Sequence, residues 1–253
     1  MVGIHTATPV LGLARLPVGL GTEDASIQQF WDLDRQLAAE MHVCLDSFIS
    51  PLGWSALVGI AVAIGPGSFT GCRLGVTVAR SLGRNLKIPV YGISTLEAWA
   101  SSVLHPHPVN PISPEDGWMD PERGAGEVAV RLDAKRGQWY GGIYQRDPSQ
   151  TMGSTDLLAC VGEQLWDLQE WEEMLRCRRM VVSVREIVEP VQDPPVLALT
   201  HLAQQAYQQG FRPQWQDVLP HYGRLPPIDP AVLKAVVLPI SPPVSPETFI
   251  PDM

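Results

Sequence analysis

Basic side chains are in short supply: 18 Lys and Arg stand against 27 Asp and Glu, so the 253 residues carry −9 at neutral pH. A general nucleic-acid coat needs the opposite balance, because cations must displace the counterions of phosphate. Cysteine is scarce too. Cys44, Cys72, Cys160 and Cys177 lie far apart, without a Cys-x-x-Cys pair or a Cys/His cluster. That spacing argues against a disulfide framework and against structural zinc, and fits free buried thiols. The longest apolar run, Leu57 to Ile64, falls well short of the roughly 20 residues that cross a bilayer. The opening Met1-Val2-Gly3-Ile4-His5 has no cationic stretch followed by a long apolar one, so no signal peptide is expected. The expected setting is cytoplasmic.

What is present is a globular composition, 45% hydrophobic and 18% charged. Val2–Thr6 and Val10–Ala14 read as an opening hairpin, with a weaker strand near 26–31. From Asp34, Leu37, Met41, Leu45 and Phe48 recur at helical spacing up to the stop Ser50-Pro51-Leu52-Gly53. Leu57–Ile64 is apolar without alternation, as in a strand covered on both faces. A glycine-rich corner, a helix over 71–85 and a buried strand over 88–93 follow. Ser94-Thr95-Leu96-Glu97 is a capping box for the next helix. The chain therefore divides into an α/β lobe over 1–104 and a second α/β lobe over 105–222, which begins with a proline-rich linker over 105–121. A proline-rich tail occupies 223–253. In the second lobe, 127–132 and 138–145 make a hairpin around Asp133-Ala134-Lys135-Arg136-Gly137. Helical periods are expected over 163–177 and 196–209, with a strand over 180–184, and the 196–209 helix could pack back on the first lobe. Two hairpin-led units in series suggest a duplicated architecture.

The corner Gly65-Pro66-Gly67-Ser68-Phe69-Thr70-Gly71 lies between a buried strand and a helix. Gly65, Gly67, Ser68, Thr70 and Gly71 could cradle a phosphate, since a helix start presents unpaired N–H groups. A tight structural turn is the more ordinary reading. The string is neither a Walker A loop nor a dinucleotide fingerprint. In the helix beyond it, Gly75, Ala79 and Gly83 form a small-residue stripe beside Leu74, Val78 and Leu82, and Arg73, Thr77, Arg80 and Arg84 form another. One reading is packing within the lobe with a solvated arginine face. The other is a helix–helix protein interface with arginine anchors. His5 ends the first strand as a lone histidine, more readily a satisfied core or rim residue than a ligand. Asp133, Lys135 and Arg136 read as a solvated turn, and His105 and His107 lack a third ligand nearby. No nucleophile elbow frames Ser68, and no paired carboxylates or zinc-spaced His/Glu pair stand out.

The stretch Ile64-Gly65-Pro66-Gly67-Ser68-Phe69-Thr70-Gly71-Cys72-Arg73-Leu74-Gly75 resembles the hallmark of the TsaB (YeaZ) family. Thr6-Ala7-Thr8, Pro89–Glu97 and Asp133–Tyr140 agree with it. The resemblance is strong over 57–98, fair over 1–56 and 127–145, and faint beyond. It implies an actin/Hsp70-like (ASKHA) fold of two related lobes. It also implies a non-catalytic subunit that pairs through its first lobe with the paralogue TsaD, in making threonylcarbamoyladenosine beside the tRNA anticodon. TsaD would hold the metal and the threonylcarbamoyl-adenylate, so no cofactor is expected here. The ATPase TsaE would dock on the pair, and tRNA would be met only through the complex. A homodimer in isolation is a further option. Family members commonly carry Asp where this chain has His5, and imidazole is a poor ligand for Mg²⁺. Where members tend to start the first helix with a His-containing polar run, this chain has Asp34-Arg35-Gln36-Leu37-Ala38-Ala39-Glu40.

The expected partner-binding residues are Leu37, Met41, Arg73, Leu74, Gly75, Val78, Ala79, Arg80, Leu82 and Arg84. Gly75→Leu or Ala79→Glu is expected to block pairing while the monomer stays folded. Two alternatives stay open. One is an ATP-dependent phosphotransferase using the 65–71 corner; the other is a glycoprotease-like metallopeptidase.

Overall fold

The structure is a computed structural model that describes residues 1–18, 26–105, 126–146, 157–182, 184–188 and 193–221. The linker expected at 105–121 falls almost wholly outside them, and the 223–253 tail wholly so. Met1–Gly223 cluster by contact into one unit.

Strands β1 (Val2–His5), β2 (Val10–Arg15) and β3 (Ile27–Asp32) run as an antiparallel meander, and helix α1 (Leu37–Ile49) crosses over to β4 (Ile60–Gly65). Helix α2 (Phe69–Leu86) leads to β5 (Val90–Ser94), and α3 (Thr95–Leu104) ends this half. The sheet order is β3-β2-β1-β4-β5, with β4 parallel to both β1 and β5. The second half repeats the plan. β6 (Glu127–Asp133), β7 (Gln138–Arg146) and β8 (Leu157–Asp167) form a meander, and α4 (Leu168–Arg179) crosses to β9 (Val184–Val188), parallel to β6. Its order is β8-β7-β6-β9. Helix α5 (Val196–Gln208) follows. The expected pair of related α/β lobes is present.

Strand periodicity assigns the faces. Val2, Ile4, Leu11, Leu13, Ile60 and Val62 meet α1 and α2 on the outer face of the first sheet. Ala61, Ala63, Tyr91 and Ile93 meet α3, α5 and the β6 residues Val128, Val130 and Leu132 on the inner face. Trp171 and Leu175 of α4 cover Ala129 and Ile143 on the outer face of the second sheet. The layers thus run helix, sheet, helix, sheet, helix. Helix α5 lies flat on the first sheet: a Cβ on Gly3 would stand 1.9 Å from the Thr200 Oγ1.

Local chemistry explains the joints. Ser94 caps α3, its hydroxyl accepting from the backbone N–H of Leu96 at 3.1 Å and of Glu97 at 3.5 Å. The β6–β7 turn holds Lys135, Arg136 and Gly137 at φ 64°, 58° and 76°. Asp133 accepts from the Lys135 backbone N–H and ammonium at 2.7 and 2.8 Å, and that side-chain hydrogen bond holds its carboxyl below the usual range.

Two expectations need correction. Residues 163–167 are not helical but complete β8, because pairing with β7 outweighs local spacing. Tyr144 donates to Glu163 at 2.6 Å, and the Trp166 indole donates to the Gly141 carbonyl at 3.2 Å. The strand expected over 180–184 begins only at Val184; Met180 and Val181 sit in the turn after α4 and are exposed. Among the described residues no helix is long and apolar enough to cross a membrane.

Candidate functional site

The glycine corner is filled by its own chain. A Cβ on Gly67 would lie 2.4 Å from the Ala7 carbonyl oxygen, and one on Gly71 would lie 1.9 Å from that of Thr6. The Ser68 N–H donates to the Ala7 carbonyl at 2.7 Å. Gly71 N–H donates to the Ser68 hydroxyl at 3.2 Å, and Thr6 Oγ1 donates back to the Gly71 carbonyl at 2.8 Å. A Cβ on Gly65 would meet the His221 carbonyl at 2.9 Å. Gly65, Gly67 and Gly71 therefore answer to close backbone approach by Thr6 and Ala7, just after β1, and by the chain after α5. The Ser68 and Gly71 N–H groups, expected as phosphate donors, are already committed, and Thr70 stands exposed beside them.

His5 ends β1 with both ring nitrogens unpartnered and no exposed surface. It is a core residue but not a satisfied one, which corrects the expectation. Burial pushes its pKa down to about 3, so the ring is neutral at physiological pH. A nucleotide-bound metal, as implied by the actin-like fold, does not fit here: the residue at the expected ligand position is a sealed imidazole beside a filled loop. Among the described residues no group of three His, Cys, Asp or Glu is placed to hold a metal ion.

Helix α2 corrects the expected interface. Gly75, Ala79 and Gly83 face inward, with the Gly75 position 2.2 Å from Thr6 Oγ1 and the Gly83 position 2.2 Å from Val90. Ala79, Leu37 and Met41 are buried in the core between α1, α2 and the sheet. These five residues bind the lobe together and present nothing to a partner. Gly75→Leu and Ala79→Glu would consequently damage the fold rather than pairing alone. Leu74, Val78 and Leu82 remain half-buried at the edge of that core, beside the exposed Thr77 and Ser81. Arg73 and Arg84 are exposed and Arg80 half-buried, along the next stripe of the helix.

A feature missed from sequence adjoins that stripe. After α5 the chain returns across the first lobe as a strap over 211–221. Tyr91 donates to the Phe211 carbonyl at 2.7 Å, Val218 is buried beside Gly92, and the His221 N–H donates to the Ile64 carbonyl at 2.8 Å. Arg80 and Arg84 both lie over the Trp215 ring, each 5.6 Å from its centroid, while Arg73 lies 5.2 Å from the Phe69 ring. The charge pattern was the available signal. No Asp or Glu occurs between Asp46 and Glu97, a stretch holding Arg73, Arg80, Arg84 and Lys87. With the whole chain at −9, that +4 stretch leaves −13 on the remainder.

On the other lobe a hollow of about 260 Å³ is lined by Glu127, Cys177, Arg178, Val181 and Val182. Its acid is closed off by Arg178, whose Nε donates to Glu127 at 2.6 Å.

Comparison with known proteins bears on both halves. A family model described as TsaD, tRNA N6-adenosine threonylcarbamoyltransferase, matches residues 34–114. The tRNA threonylcarbamoyladenosine biosynthesis protein TsaB of Bacillus subtilis is 34% identical over 182 residues, covering 70% of this chain and 66% of that protein. The Escherichia coli protein of the same name is 34% identical over 88 residues, 35% of this chain and 31% of its own length. The matched stretch thus spans just under two thirds of the first relative and about a third of the second. Among solved structures, YeaZ from Pseudomonas aeruginosa superposes with a TM-score of 0.60 at 21% identity, covering 87% of this chain and 98% of that one. A second Pseudomonas aeruginosa structure, of a protein with similarity to peptidase YeaZ, gives 0.63 at 21% identity over 88% and 98%. Those two likenesses speak for the fold.

Proposed function

We propose that the chain, 34% identical to a TsaB protein over 70% of its length, is a member of that family and an accessory subunit in threonylcarbamoyladenosine formation on tRNA. In this reading it supports a TsaD-type transferase and makes no bond itself. The observation that carries the reading is the 34% identity to a TsaB protein across 70% of the chain. The commitment of the Ser68 and Gly71 N–H groups within the corner and the sealed, neutral His5 support the non-catalytic part.

The contact surface is the outer side of α2. Leu74, Val78 and Leu82 supply apolar area at its edge, and Arg73, Arg80 and Arg84 supply a cationic rim. That is the anatomy of a protein interface, apolar within and arginine-rich at the edge. Metal and adenylate would be held by the transferase, and tRNA would reach this chain only as part of the assembly. A TsaE-type ATPase would join the pair, and self-association through the same face would compete with pairing. Co-purification tests the reading. The tagged chain is expected to retain the TsaD-type protein of its own genome as a stable complex. Elution of the two as separate species at micromolar concentration would contradict it.

A further inference from the structure

We infer that Trp215, on the strap that follows α5, is a positioning residue for the partner-binding face: it holds Arg80 and Arg84 as a paired cationic fork for carboxylates of the partner. The inference deepens the proposed pairing and rests on it.

The strap runs antiparallel to α2. Trp215 sits against its C-terminal half, where a Cβ on Gly83 would lie 3.5 Å from the Trp215 Cβ. From there the strap passes Gly92 of β5 at Val218, and His221 reaches the end of β4 at Ile64 and Gly65. The indole is half-buried, and both guanidinium carbons stand 5.6 Å from its centroid. A ring face attracts a cation and leaves the N–H edges of guanidinium free to donate. Long arginine side chains lose rotamer entropy on binding, so holding them in advance reduces that cost.

Neither arginine has an ion-pair partner among the described residues; the described pairs involve Arg131, Lys135, Arg176, Arg178 and Arg179. The nearest acids in sequence are Asp46 and Glu97, so α2 itself supplies none; Asp217, exposed on the strap two residues beyond Trp215, is in none of the described ion pairs. Two adjacent, preorganised guanidinium groups without an ion pair among the described residues match a pair of carboxylates, which each can grip through parallel N–H bonds. A protein occupant is favoured over RNA by the half-buried Leu74, Val78 and Leu82 on the same helix. It is favoured also by the −13 carried by the rest of the chain, which repels a polyphosphate.

The test is the affinity of the full chain for the TsaD-type protein at several salt concentrations, with Trp215→Phe, Trp215→Leu and Arg80→Gln/Arg84→Gln. Trp215→Phe keeps a π-face and is expected to stay within about twofold of wild type. Trp215→Leu keeps apolar bulk without that face and is expected to weaken binding about fivefold, with a shallower salt dependence. In the Arg80→Gln/Arg84→Gln background, Trp215→Leu should add nothing. Equal losses from Leu with and without the arginines would mean that Trp215 is only packing, and would overturn the inference. So would wild-type affinity in Trp215→Leu, or tighter binding to tRNA alone than to the protein partner. Failure of the wild-type chain to bind the partner at all would instead sink the pairing itself, and the inference with it.

Discussion

Thr6 and Gly71 are locked face to face: the Thr6 hydroxyl donates to the Gly71 carbonyl at 2.8 Å, and the Thr6 carbonyl occupies the space a Gly71 side chain would need. This contact joins the end of β1 to the first turn of α2. It turns what reads as a ligand loop into a structural clasp, and it sets the position of the helix that carries the arginine stripe.

Gly71→Ala should therefore destabilise the fold by about 2–4 kcal/mol, since backbone must shift to admit a methyl group. Thr6→Val, which keeps the shape but loses the donor, should cost about 1 kcal/mol. Urea unfolding of both variants checks this. Wild-type midpoint in Gly71→Ala would show that the clasp is not tight.

The neutral, buried His5 makes stability fall as the medium is acidified. Its folded pKa is about 3 against an ordinary 6.5, so below pH 6.5 the unfolded chain takes up a proton that the folded chain refuses. This contribution is absent above that range and grows towards pH 3 by up to about 1.4 kcal/mol per pH unit. His5→Gln should flatten the difference in unfolding free energy between pH 7 and pH 5 relative to wild type. Parallel profiles for the two proteins would contradict the burial.

Thiol reactivity should follow exposure. Cys177 is exposed, whereas Cys72 is buried and its thiol is pushed up to about 12. A maleimide at neutral pH should label Cys177 within minutes and leave Cys72 unmodified until the chain is unfolded. Early labelling of Cys72, located by peptide mass analysis, would count against the packing of α2.

Pairing should respond to Thr77 and Ser81, the exposed hydroxyl residues between the arginine and leucine stripes. The Thr77→Glu/Ser81→Glu variant places anions among the arginines at solvent-exposed positions. Its unfolding free energy should stay within about 1 kcal/mol of wild type. Its affinity for the TsaD-type protein should fall at least about tenfold through like-charge opposition to an acidic partner. Unchanged affinity would move the interface off this side of α2.

Much of this was legible in the chain. The alternation of Val2, Ile4, Leu11 and Leu13, the unbroken Leu57–Ile64 run and the Ser94 cap each report a local rule that the tertiary structure obeys. The faces of α2 were not. Gly75, Ala79 and Gly83 are spaced as a contact stripe, but spacing does not say whether the neighbour is another chain or β1 and β5 of the same one. Residues 163–167 misled because helical spacing there is weaker than pairing with β7. Trp215 was out of reach since its neighbours Arg80 and Arg84 lie more than a hundred residues earlier, and only the absence of acids between Asp46 and Glu97 hinted at a face kept cationic.

The most direct measurement is the rate of threonylcarbamoyladenosine formation on tRNA in a reconstituted mixture, with this polypeptide left out and then restored. The proposed role predicts negligible product without it, recovery in proportion to the amount added up to one copy per transferase, and no product from this chain alone. An undiminished rate in its absence would contradict the account.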